Sequence, residues 1–147
     1  MKNASKNINL FRSLTLATLC SLLLEFILGM YTALFVEFPD ILVNGNGWAW
    51  SMKASPVIMA HVMLGSLLVL LTLATVIFGF VSRSKPAAVW SVTGFLMTMV
   101  AYASGSIFLS NVAEDNYSFL MALGFMGALA AYGAAFYLTH PASQVAS

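Results

Sequence analysis

The chain has 147 residues, of which 61% are hydrophobic and only 7% charged, with a net charge of +1. A soluble domain is usually about a quarter charged. So little charge cannot solvate a surface in water, and a net charge near zero gives no grip on nucleic acid. The length suits a single domain, residues 1–147, immersed in a lipid bilayer. The single cysteine, Cys20, lies inside a hydrophobic run and excludes an intrachain disulfide.

A spanning helix needs about 20 mostly apolar residues, and four runs meet that length. The N-terminus up to Arg12 is polar and basic. The first run, residues 11–36, is too long for the core of a cleavable leader and reads as a retained helix. Glu25 interrupts it, and Glu37-Phe38-Pro39-Asp40 ends it. The second run, 56–81, opens on Pro56, which suits a first helical turn. Ser82-Arg83-Ser84-Lys85-Pro86 is a basic turn into the third run, 87–109. Asn111 to Asn116, with Glu114 and Asp115, turns the chain into the fourth run, 117–139, and His140-Pro141 stops it.

Lys2, Lys6, Arg12, Arg83 and Lys85 fall at one end of this up-and-down bundle. Glu37, Asp40, Glu114 and Asp115 fall at the other, with Lys53 the one basic residue there. The positive-inside rule puts the first end in the cytoplasm. The expected fold is therefore an all-α integral membrane four-helix bundle, N-in and C-in, in a prokaryotic-type inner membrane. Its long outer loop carries the turn cluster Asn44-Gly45-Asn46-Gly47 and then Trp48 and Trp50. Tryptophan favours the headgroup level, so the loop reads as an interfacial anchor, with a ligand cap as the alternative.

The fourth run is crowded with Ala122, Gly124, Gly127, Ala128, Ala130, Ala131, Gly133, Ala134 and Ala135. The third carries Ala101 and Gly105 at small-xxx-small spacing. Small residues let helix backbones approach in lipid. Their spread around the fourth run suggests contacts on more than one face, hence a partner subunit.

Two ionisable groups stand inside the spans. Glu25 sits near mid-depth, where an ionised carboxylate is costly and should face the interior. No intramembrane lysine or arginine pairs with it. Thr98, Ser66, Tyr102, water or a cofactor are its expected partners, and a proton relay or a quinone or haem contact its expected roles, with a neutral, hydrogen-bonded acid that fixes helix packing as the alternative. His61 lies about five residues into the second span. A neutral imidazole can ligate haem iron, although a packing histidine is the plainer reading. His140 belongs to the opposite interface and cannot share one iron with His61. The nine methionines read mostly as core, and no CxxC, HExxH, P-loop or GxGxxG motif is present. No catalytic constellation emerges.

The second span, His61-Val62-Met63-Leu64-Gly65-Ser66-Leu67-Leu68, resembles the histidine-led second helix of one half of the haem A synthase family. Leu28-Gly29-Met30-Tyr31 is similar to the end of that family's first helix, ahead of Pro39-Asp40. Ala101 to Gly105 matches a small-residue motif of its third helix, and Ser118-Phe119-Leu120-Met121-Ala122-Leu123 the start of its fourth. The resemblance covers residues 14–138. It implies a four-helix half in which haem lies between a histidine of the second helix and one of the fourth. His61 matches the first ligand, but Gly124 stands where the second is expected. The outer loop lacks the cysteines of many bacterial members, and a synthase usually has two halves where this chain has one.

Three functional expectations follow. The first is a non-catalytic subunit of a larger membrane complex, respiratory or otherwise redox. The second is a b-type haem protein with His61 as axial ligand, and Met121 or Met30 as the sixth, or an iron left five-coordinate. The third is a small transporter using Glu25.

Overall fold

The computed structural model describes residues 2–38, 47–110 and 115–140, with side chains from Lys6 onward. It contains α1 (Lys2–Phe35), α2 (Gly47–Ala54), α3 (Pro56–Val81), α4 (Lys85–Ser110) and α5 (Asp115–Leu138). The four long helices are each long and apolar enough to cross a membrane. The expected spans are thus present, α1 beginning well before residue 11. The Pro39-Asp40 step, the Asn44 to Asn46 turn, the turn at 111–114 and Pro141 lie outside the described residues.

The four helices form a ring in which α1 neighbours α3 and α5, and α4 neighbours the same two. α4 packs most extensively on α5, then α1 on α3 and α3 on α4, and the α1–α5 seam is the loosest. Short turns make α4 antiparallel to α3 and α5, and α1 runs antiparallel to α3, since Thr18 meets Thr75 and Glu25 meets His61. The end of α1, the start of α3, the end of α4 and the start of α5 therefore share one end of the bundle. The short α2 packs there against α3 and α4. Lys6, Arg12, Arg83 and Lys85 lie at the opposite end, where the Arg12 guanidinium sits 4.9 Å over the Phe136 ring.

Local chemistry explains the boundaries. Ser55 is extended and caps α3, its Oγ accepting from Val57 N–H at 3.3 Å, with Pro56 in the first turn. At the other end of α3, Ser82 Oγ donates to Gly79 O at 2.7 Å. Arg83 then adopts φ 56°, the left-handed conformation that ends many helices. A Cβ on Gly79 would lie 2.5 Å from Ser91 Oγ and 3.0 Å from Ala87 O, so α3 and α4 touch backbone to backbone beside this turn.

The packing inverts that of a water-soluble domain. Leu70, Phe119 and Phe35 face outward with 63%, 64% and 70% exposure, whereas Thr15, Thr18, Thr72, Thr75, Ser91 and Thr98 are buried. Lipid tails are as apolar as leucine, so nothing drives large side chains inward. Helices associate instead where small residues let them close up. The buried hydroxyls satisfy themselves on their own helices: Thr15, Thr18, Thr75 and Thr98 each donate to the carbonyl four residues earlier at 2.9 Å. Thr18 and Thr75 also meet across α1 and α3 at 3.3 Å. Tyr132, wholly buried, lays its ring on Gly94, where a Cβ would come within 2.6 Å.

The small residues of α5 divide in use. A Cβ on Gly124 would lie 2.7 Å from Ala101 N and 2.8 Å from Met97 O, and one on Gly127 would meet the Met97 side chain. Ala128, Ala131 and Ala135 are buried in the same bundle. Gly133 instead has nothing within 4 Å of its Cβ position, and Ala122 and Ala130 are exposed.

Candidate functional site

Glu25 and His61 meet across α1 and α3, with Glu25 Oε1 3.0 Å from His61 Nδ1. Counting along the spans puts them at different depths, and the length of α1 resolves the difference. Glu25 stands 10 residues before Phe35, about 15 Å along the axis, and His61 stands five into α3, about 8 Å. The last turns of α1 run past the start of α3, which brings the two groups level. Glycines make the room. A Cβ on Gly65 would lie 2.9 Å from Glu25 Oε1, and one on Gly29 would lie 3.1 Å from His61 Cε1. Both glycines admit a polar side chain from the facing helix.

The contact has the length of a hydrogen bond but not its direction. His61 Nδ1 and Glu25 Oε2 are both buried without an aligned partner. Ser66 and Thr98, expected as partners of Glu25, donate to Val62 O and Gly94 O of their own helices at 2.9 Å. The nearest titratable partner is the histidine, which a search for lysine or arginine overlooks.

Glu25 and His61 line a cavity of about 320 Å³ at the α2 end of the bundle, to which all four long helices contribute. Met30 and Met121 line it too, so the four residues singled out in the sequence share one chamber. Thr98, Tyr102, Ser106 and Ser118 add hydroxyls to a wall that is otherwise apolar. Leu22, Leu68 and Ala128 close it toward the middle of the bundle. At the other end Phe38 meets Trp50 at 5.4 Å and Phe108 edge-on at 5.2 Å, and Trp48 joins the lining. α2 therefore places Trp48 over the chamber, a position compatible with both the anchor and the cap readings of this loop.

Gly124 is absent from the lining, because its Cβ direction points into the α4 backbone. The position that the haem A synthase resemblance would give to a second histidine is a helix contact. Met121, one turn earlier, reaches the chamber and rests its sulfur on α4, 3.2 Å from the Cβ position of Gly105. Among the described residues, no three His, Cys, Asp or Glu side chains gather into a metal-binding group. His140 lies at the far end, beyond α5.

No protein-family model, curated protein or solved structure matches the chain.

Proposed function

We propose that this chain is a membrane-embedded binding subunit that holds a lipophilic redox cofactor for a larger membrane assembly. The observation that carries this reading is the Glu25–His61 pair, 3.0 Å apart on the wall of a chamber built by all four long helices. Ionisable groups within a membrane are costly and mark functional sites by default. Here both also keep polar atoms without an aligned partner, which a bound molecule would satisfy. The segregation of Lys6, Arg12, Arg83 and Lys85 from the α2 end supports an N-in, C-in orientation with the chamber toward the outer face. The outward Ala130 and Gly133 of α5 leave a shallow strip on which a second membrane helix would fit.

A b-type haem is the second reading. Glu25 beside Nδ1 leaves Nε2 of His61 for iron, and a carboxylate behind a ligating histidine is a common way to orient the ring. Met121 or Met30 would be the sixth ligand. The chemistry that haem would supply is one-electron transfer, and the residues of this chain would hold and orient it.

Purification in mild detergent from cells supplied with haem tests both. Copurifying membrane proteins are expected, and a chain that always migrates alone would refute the assembly. A Soret band abolished or shifted in His61→Ala would establish haem, and a featureless spectrum would remove it.

A further inference from the structure

Among the described residues, aromatic side chains cover the α2 end of the chamber, and one flank opens toward lipid. Trp48, Phe38 and Phe108 lie over its α2 end. On the α1–α5 side, by contrast, Phe26, Met30 and Met126 line the chamber and are also 47%, 44% and 59% exposed at the outer surface. Ala33 and Ala122 do the same with small side chains. Residues that face both the inside and the bilayer mark a lateral opening, and it falls on the loosest seam of the ring. Phe26 and Phe125 stack across that seam, centroids 5.2 Å apart and planes within 18°. Their faces are turned on each other, so a ring entering between α1 and α5 passes beside the stacked pair and meets its edges.

The lining also selects by charge. Among the described residues it contains no lysine or arginine. A phospholipid phosphate, or the two propionates of a haem, would be desolvated here without a counterion, at a cost that favours neutral heads. A neutral head still has to engage Glu25 Oε2, the carboxylate oxygen left without a partner beside the His61 ring. Paired oxygens on a ring do so, because between them such groups accept from the imidazole or the acid and, when reduced, donate to the carboxylate. A volume of about 320 Å³ lies at the small end of ligand pockets, room for one substituted ring with its tail left in the membrane.

We infer that this chamber is a binding site for a quinone-class lipid, a neutral ring bearing paired carbonyl or hydroxyl oxygens on an apolar tail. The head reaches Glu25 and His61 through the α1–α5 seam, past Phe26 and Phe125, and the tail stays between those helices. The inference rests on the cofactor-holding reading above and names its cofactor. It concerns binding alone and assigns no electron transfer to the chain.

The test is a titration of the full-length protein in nanodiscs with decylubiquinone, read as quenching of Trp48, with Trp48→Phe as the control for the other tryptophans. Saturable quenching is expected in the wild type. Glu25→Gln and His61→Asn should each weaken it about tenfold, the loss of one good hydrogen bond. Ala122→Phe, which leaves the polar pair untouched and narrows the portal, should weaken it at least as much while helicity and elution volume stay unchanged. Equal affinity in wild type, Glu25→Gln and Ala122→Phe would overturn the inference, as would quenching that does not saturate. If decylubiquinone fails but a His61-dependent Soret band is present, the cofactor-holding reading survives and the quinone is wrong. If both are absent, both are wrong.

Discussion

Gly124→Ala should destabilise the folded protein by about 2–3 kcal/mol, whereas Gly133→Ala, nine residues along the same helix, should be neutral or slightly stabilising. The two glycines meet opposite surroundings. A methyl at 124 would lie 2.7 Å from Ala101 N, 2.8 Å from Met97 O and 3.0 Å from Ala101 Cα. These are backbone atoms of a helix and cannot swing aside as a side chain does, so α4 and α5 must separate. A methyl at 133 meets nothing within 4 Å and gains the helix preference of alanine over glycine, about 1 kcal/mol at most. Thermal or dodecyl-sulfate unfolding in mixed micelles, followed by circular dichroism, reads the difference. Similar midpoints for both variants would show that the α4–α5 contact is not close-packed. Gly124→His should likewise disrupt the seam without creating a haem ligand, because position 124 points at α4 and away from the chamber.

The second large effect is expected at the polar pair. Glu25→Ala and His61→Ala should each cost about 1–3 kcal/mol, since either removes the 3.0 Å contact and leaves the other polar group inside the bundle without it. The double variant should cost less than the sum, with a coupling of about 1–2 kcal/mol, near the upper end for polar contacts between membrane helices. Misalignment of the 3.0 Å contact argues against a larger value. The cycle is measured by the same unfolding assay in apo protein. Strict additivity would mean that the two groups answer separately to the chamber and owe each other nothing.

The helices were legible because a bilayer permits little else: each run is long and nearly free of charge, and proline, acids or a basic turn end it. The site was legible in part. Glu25, His61, Met30 and Met121 stand out by chemistry and share one chamber, yet their arrangement is not written in the spacing. Depth counted from the apolar boundaries separates Glu25 from His61, because it takes α1 to stop where α3 starts. Gly29 and Gly65, which let the two side chains cross, read in sequence as ordinary packing glycines. The small residues of α5 point to close packing correctly but do not say which face meets α4 and which meets lipid, since alanine and glycine surround the helix. The hydroxyl-rich core has no periodic signature, because apolar residues occupy every face.

The turn at Ser82 to Ser84 carries a mechanical consequence. With Gly79 pressed against Ala87 and Ser91, α3 and α4 are held together beside the turn, at the end away from the chamber. The bundle then resembles a bound book: α3 and α4 are the spine, and α1 and α5 are covers that meet at an unsewn fore-edge. Volume gained by the chamber should come first from parting the covers, the most loosely packed seam of the ring. Spin labels on Cys20 and Ala130→Cys should therefore broaden or shift their distance distribution when the chamber fills, while a pair across α3 and α4 keeps its own.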